Sequence, residues 1–253
     1  MTNQRLRLTP NEINLIKSIR AEQASTKSQQ NITGESKRSV VQVIGDTHLP
    51  YEKAGYLEFC KEQADKYHAT DIIHIGDIID FSAISRFNIN PNLLSAKSEL
   101  DIAKEKIQLW YKIFPKMKIC WGNHDLRVQK RLQLSGINQE WLRTMNEIIG
   151  VSVDDWQFAD SFIIDGVKYT HGIGNSGDKA ALNRALNQNI SIVSGHQHTL
   201  ATLQYVGDIF ALIVGCGIDD TALAFSYSKD YIKKSIISCA IIIDGKLPIL
   251  IKM

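Results

Sequence analysis

Four short apolar runs in this chain each end in a glycine followed by a residue that can bind a metal or an anion. Residues 40–44 run into Gly45-Asp46, 72–75 into Gly76-Asp77, 117–121 into Gly122-Asn123, and 190–194 into Gly195-His196. Runs this short have the length of strands rather than helices. Between the first three lie segments of helical character. One is 53–69, mixed polar and aromatic. The other is 96–113, patterned by Ile102, Ile107, Leu109, Trp110 and Ile113. Strands alternating with helices make an α/β sheet. In such sheets ligands gather beyond the carboxyl ends of the strands. The polar residues therefore stand where a single site would form.

The second half changes pattern. A helix is expected over 137–149. Strands are expected over 158–164 and 167–170, flanking Asp165-Gly166, a two-residue turn suited to a hairpin. Residues 190–194, 203–206, 209–214 and 236–243 also read as strands, with Asp244-Gly245 a further turn. The whole reads as two β-rich layers with helices outside.

Residues 1–38 differ from the rest, which divides the chain into a leading segment, 1–38, and a main domain, 39–253. Thr9, Pro10 and Glu12 form a capping box with a first-turn proline. A helix over roughly 10–24 follows, with Ile13, Leu15, Ile16 and Ile19 apolar, and then a polar stretch that suits a linker. A surface helix on a tether is the plain reading. A homo-oligomer contact or a nucleic-acid-binding helix are its alternatives.

Bulk properties narrow the class without naming a substrate. At 253 residues, with 44% apolar and 22% charged, the chain can bury one sizeable core. A net charge of +2 does not announce a nucleic-acid binder, although a local patch can serve one. Cys60, Cys120, Cys216 and Cys239 form no C-x-x-C pair. They read as free thiols in a reducing compartment. No apolar leader and no run of about 18 apolar residues is present. The expectation is a cytoplasmic chain with no membrane contact.

The chemistry follows from the donors. Asp46 and His48 are two residues apart, as are His196 and His198, so each pair can face one side of an extended chain. Carboxylate and imidazole suit divalent metals. Taken singly, any of these histidines could be a buried core residue, and Asp77 a helix cap. Together, Asp46, His48, Asp77, Asn123, His171, His196 and His198 exceed what one catalytic zinc needs. They suit two ions about 4 Å apart that share a carboxylate.

The motifs GDTH at 45–48, GDIID at 76–80, GNHD at 122–125, HG at 171–172 and GHQH at 195–198 resemble, in order and spacing, the calcineurin-like metallophosphoesterase family. The resemblance covers roughly 40–200. It implies a four-layer α/β/β/α sandwich with two facing mixed sheets. It also implies two divalent ions, manganese first, with iron, zinc, nickel or cobalt as alternatives. One ion would be held by Asp46, His48 and His198, the other by Asn123, His171 and His196, with Asp77 between them. His124 would stand beside the phosphate, stabilising charge or protonating the leaving oxygen, and Asp125 would orient it. A metal-activated hydroxide would attack directly, with no covalent intermediate. Phe81 and Trp121 depart from the phosphoprotein phosphatase branch. Gly215-Cys216-Gly217 stands where many relatives carry an Asn-Pro-Gly-Ser turn.

Substrate choice would fall to the loops. Arg86 could pair with a phosphate, and Phe81 or Phe87 could stack on a base. Arg127, Lys130 and Arg131 form a basic cluster that would either track a nucleic-acid backbone or lie as a solvated helix face. Gly172, Gly174 and Gly177, with Asn175, Ser176 and Lys179, make a loop that could touch a phosphate. No large insertion is present. The expected activity is phosphodiester hydrolysis in nucleic acid or a nucleotide, in the manner of the family's nucleases and phosphodiesterases. A nucleotide or small-molecule phosphomonoesterase and a non-catalytic scaffold are the alternatives.

Overall fold

A computed structural model describes residues 38–85, 92–174, 177–222 and 234–253. The expected helix at 10–24 lies outside the described residues, as do Arg86, Phe87, Asn175 and Ser176. The first sheet is built from β1 (Val40–Ile44), β2 (Asp71–His74), β3 (Met117–Cys120), β4 (Trp156–Ala159), β10 (Ser238–Ile243) and β11 (Leu247–Lys252), in the order β11-β10-β1-β2-β3-β4. The second is built from β5 (Ser161–Ile164), β6 (Val167–Thr170), β7 (Ser191–Ser194), β8 (Thr202–Val206) and β9 (Ile209–Ile213), in the order β5-β6-β7-β9-β8. Each sheet is mixed. The β1–β4 and β6-β7-β9 runs are parallel, and their edge partners are antiparallel.

Period-two alternation gives each face of each sheet its own core. Val41, Val43, Ile73 and Ile75 of the first sheet meet Val167, Tyr169, Val193 and Leu212 of the second, and all are buried. The opposite face of the first sheet, through Ile44 and Ile119, packs on helices α1 (Tyr56–Tyr67) and α2 (Ala96–Ile113) through Cys60, Ile107 and Trp110. The outer face of the second sheet, through Ile192, Ala211 and Ile213, packs on a later helix (Ala180–Gln188) through Ala181 and Ala185. That makes four layers, α/β/β/α, as the resemblance implies. Burying each of the larger side chains contributes about 2–3 kcal/mol. Strands covered on both faces explain why β1 is buried at all five positions.

Local chemistry sets the elements that approach the site. Ser95 caps α2 by accepting from the Ser98 N–H at 3.2 Å. From the first turn of α2, the buried Glu99 carboxylate accepts from the Ser82 N–H at 2.8 Å and the Ala83 N–H at 3.1 Å. It thereby fixes the 3-10 turn Ser82–Ile84 just after the GDIID motif. Asp165 and Gly166 both have positive φ, 50° and 74°, as the expected two-residue hairpin turn requires.

Two expectations need correction. The run 158–164 is two strands rather than one. β4 pairs with β3 in the first sheet, β5 pairs with β6 in the second, and the chain crosses between sheets at Asp160. An unbroken apolar run carries no mark of a change of sheet. The helix expected over 137–149 is a 3-10 turn, Gln139–Trp141, and a separate helix, Met145–Ile149. A complete Thr144–Glu147 capping box starts the latter, and that start signal divides the segment. The basic segment after GNHD forms a helix, α3 (Arg127–Leu134), one of the two forms expected for it.

Candidate metal centre

β1, β2 and β3 of the first sheet and β6 and β7 of the second end on the same side, and their following loops converge. Every one of the seven expected ligands arrives there. The His48 Nε2 stands 3.2 Å from the His198 Nε2 and 3.6 Å from an Asp77 oxygen. The His198 Nε2 stands 3.1 Å from Asp46 Oδ2. On the other side of Asp77, the His171 Nε2 lies 3.2 Å from Asp77 Oδ2 and 3.1 Å from the Asn123 amide oxygen. The His171 and His196 rings stand 5.0 Å apart.

Among the described residues, ligand atoms close enough to share an ion form three groups: Asp46, His48, Asp77 and His198; Asp77, His171 and His196; and His48, Asp80 and His124. Asp77 belongs to the first two.

The backbone bends to make this convergence. His48, Asp77 and His196 have φ of 49°, 52° and 70°. Non-glycine residues held there cost on the order of 1–3 kcal/mol each, and such strain collects at functional sites. Two glycines permit the close approach. A Cβ on Gly122 would lie 2.1 Å from Asp77 Oδ1, and one on Gly195 would lie 2.3 Å from Asp46 Oδ1. Gly215-Cys216-Gly217 forms a wall behind Asp46, with the Gly217 N–H donating to the Asp46 carbonyl at 2.7 Å.

Beneath the ligands lies a brace of buried polar groups. The Gly76 N–H donates to His74 Nδ1 at 3.2 Å, which leaves the proton on Nε2, 3.0 Å from the Thr47 hydroxyl. Burial holds His74 down at about 3, so the ring is neutral.

Asp125 does not orient His124. Its carboxylate accepts from the N–H groups of Asp77, Ile78, Ile79 and Gly122 at 2.8–3.3 Å. It ties the GDIID loop to the GNHD loop. Burial and the Asp77 charge push it up to about 7, against the pull of its N–H donors. A short carboxylate on a tight turn finds the nearest unpaired N–H groups, and here those belong to the neighbouring loop.

The orienting carboxylate is Asp80, which is absent from the seven-ligand reading. Its Oδ1 sits 2.7 Å from His48 Nδ1 and 3.0 Å from His124 Nδ1. Burial opposes its charge, but the hydrogen bonds of His124 and His48 hold it well below the usual carboxylate range. Its sequence signal was a second carboxylate three residues after Asp77.

Arg127 joins the same cluster. Its guanidinium donates to the Asp80 and Phe81 carbonyls at 2.8 and 3.2 Å, and Nη2 lies 2.9 Å from His124 Nε2. Burial pulls His124 down, but Asp77 and Asp80 outweigh it and raise the ring above its ordinary value. His124 also donates its main-chain N–H to Asp77 Oδ1 at 2.7 Å.

The donor set fits divalent cations. Asp46 Oδ1 is buried with no hydrogen-bond partner among the described residues. The facing nitrogens of His48 and His198 can hold at most one hydrogen bond between them. Cations would satisfy both, and without them this much buried charge is costly.

No family model and no curated protein matches the chain. Among solved structures it is similar to Vacuolar Protein Sorting 29 from Cryptosporidium parvum, at 13% identity and a TM-score of 0.46, over 85% of this chain and 98% of that one. It is also similar to a metallophosphoesterase from Sphaerobacter thermophilus, at 15% identity and 0.45, over 85% and 88%. A third is Yfce, a phosphoesterase from E. coli, at 16% and 0.41, over 80% and 87%. Likenesses this remote assign neither family nor activity. The chain's own four layers are nonetheless those the calcineurin-like resemblance implies, and its five motifs meet at one point as that resemblance expects.

Proposed function

We propose that this chain is a divalent-metal-dependent phosphoesterase that hydrolyses phosphodiester bonds in nucleic acid or a nucleotide. The observation that carries the reading is the pair of ligand groups sharing Asp77, with His124 and Arg127 at their edge. Asp46, His48 and His198 would hold one ion, and Asn123, His171 and His196 the other. Manganese suits a set mixing carboxylate and amide oxygens with imidazole, and iron, zinc, nickel or cobalt are accepted by the same donors. Such ions supply Lewis acidity toward the phosphoryl oxygens and acidify water as the nucleophile.

The chain's own residues do the rest. Asp46 and Asp77 bring the negative charge that draws the cations in. Asp80 holds the Nδ1 edge of His124, so Nε2 is the edge turned toward Arg127. Against burial, Asp77 and Asp80 raise the ring above its ordinary value, and its Nε2 edge is the one that would meet the charge developing on a leaving oxygen. Arg127, fixed by two carbonyls, adds a second cationic edge. The cytosol, a reducing compartment, fits four free, buried cysteines. Among the described residues no helix is long and apolar enough to cross a membrane.

The test is a paired rate assay. Metal-stripped protein is reloaded with Mn²⁺ and given an aryl phosphodiester and an aryl phosphomonoester. Faster diester cleavage is expected. His124→Ala should keep its metals and lose roughly 100-fold or more in turnover. Faster monoester cleavage would make the chain a phosphomonoesterase, with Arg127 as the clamp on a terminal phosphate. Failure to bind any divalent ion would favour a scaffold.

A further inference from the structure

Beside the metal centre is a pocket of about 110 Å³. Ile84 and Ser85 line it from the turn after GDIID, Arg127, Lys130 and Arg131 line it from α3, and the proposed ligand Asn123 also contributes. Three of its lining residues are cationic and none is acidic. A cleft at the opposite end of the first sheet shows the contrast. There Lys116 and Lys118 are paired with Asp155 and Asp71 at 2.5 and 2.7 Å.

Two of the three cations beside the metal centre are held in place without being paired to a carboxylate. Arg127 donates to the carbonyls of Asp80 and Phe81, and Arg131 donates to those of Ile84, at 2.9 Å, and Ser85. Carbonyl acceptors fix a guanidinium and leave its charge uncompensated. Lys130 is exposed, with no ion pair among the described residues. The opposite wall is pinned by Glu99 through Ser82 and Ala83. Three positive charges, two of them fixed, therefore border one pocket that shares Asn123 with the metal centre. Preorganised charge of this kind favours an anion at little ordering cost.

The spacing indicates which anion. Arg127 stands at the edge of the metal centre, 2.9 Å from His124 Nε2, and Arg131 follows it one helical turn later, about 6 Å along the axis. Two phosphoryl groups joined through one oxygen lie closer than that, whereas phosphates on either side of a nucleoside span such a distance. We propose that this pocket takes a second phosphate of the substrate, one nucleoside away from the phosphate at the metal centre, so that the chain prefers short nucleic-acid strands to mononucleotides. The inference rests on the phosphoesterase reading and adds the class of substrate.

The test uses the full chain loaded with Mn²⁺. Its substrates are a dithymidine with one internal phosphate, the same dinucleotide with an added phosphate at its 5′ or 3′ end, and a nucleoside diphosphate beside its monophosphate. Cleavage of the internal bond is followed by chromatography. The added terminal phosphate should raise kcat/KM for that bond roughly tenfold or more. That gain should collapse in Lys130→Glu and survive in Lys130→Arg. No gain in the wild type, or an equal gain in Lys130→Glu, overturns the proposal. A gain confined to the nucleoside diphosphate overturns the nucleoside spacing.

Should no ester be cleaved at all, the phosphoesterase reading fails by itself, and the pocket is still decided by binding. Fluorescence anisotropy of a labelled two-phosphate dinucleotide should then show Kd roughly tenfold weaker in Lys130→Glu. An unchanged Kd would overturn the second-phosphate site.

Discussion

The two sheets contribute unequally to the site. The first supplies all its carboxylates, Asp46, Asp77, Asp80 and Asp125, together with His48, Asn123 and His124. The second supplies imidazoles only, His171, His196 and His198. The loops of the first sheet also brace one another. Asp125 gathers four N–H groups from two loops, Asp80 spans His48 and His124, and the His48 N–H donates to the Asp77 carbonyl at 2.9 Å. Among the described residues the loops of the second sheet make fewer such bonds, such as the Gly195 N–H to the His171 carbonyl at 3.1 Å. One sheet thus presets a concentration of negative charge. The other completes the coordination when the two cores pack. Asp77, Asp46, His48 and Asn123 are points of contact, because each is within 3.2 Å of a second-sheet histidine.

That division is broken most severely at Asp77. Asp77→Asn removes a charge that both ligand groups use, so both ions should bind at least roughly 100-fold more weakly. The second-sheet variant His196→Ala should weaken one ion and leave the other. Metal analysis of the purified proteins reads this directly, and full occupancy in Asp77→Asn would refute the shared role. The next largest effect should fall on stability. Asp125→Ala leaves four main-chain N–H groups without their acceptor, three of them on the GDIID loop. A buried donor left unpaired costs about 1–3 kcal/mol, so the total loss should be about 3 kcal/mol or more. Urea unfolding of metal-free protein measures it. A loss within the range of ordinary surface substitutions would mean that the first sheet's loops stand without their brace.

The sequence disclosed the converging donor residues better than what surrounds them, and the reason is physical. A metal ligand must be one of few residue types at a strand end, and the glycine before it has a steric cause, so Gly122-Asn123 and Gly195-His196 could be read directly. The helix over 96–113 was legible from its apolar period, and the structure gives it the same bounds. Orientation is another matter. Asp80 and Asp125 are both carboxylates just beyond a motif glycine, and only the path of the chain decides which one meets His124. The crossing at Asp160 was hidden because apolar strands that belong to different sheets look alike. The pocket beside Asn123 needed the 82–85 turn and α3 to be brought together from distant parts of the chain, although its basic residues were visible as a cluster.

The sharpest form of the comparison concerns protons. His48, on the first sheet, is held down at about 4 by burial, with His124 adding to the shift. It is neutral at pH 7 and ready to bind metal without losing a proton. His171, on the second sheet, is also buried, but Asp77 and Asp46 outweigh burial and lift it to about 10. In metal-free protein His171 is therefore charged at neutral pH, and loading must expel its proton. Because its folded value lies above the ordinary value of about 6.5, the stabilisation it gives the metal-free fold is complete below about pH 6.5 and is lost as pH rises toward 10. Metal-stripped protein should accordingly lose stability between about pH 7 and about pH 9, while loaded protein, in which a cation replaces the proton, should hold its urea midpoint. Titration calorimetry in two buffers of different ionisation heat should show proton release on loading, and less of it in His171→Asn. Equal heats in both buffers would mean that His171 arrives already neutral, and its difference from His48 would then be one of position and not of charge.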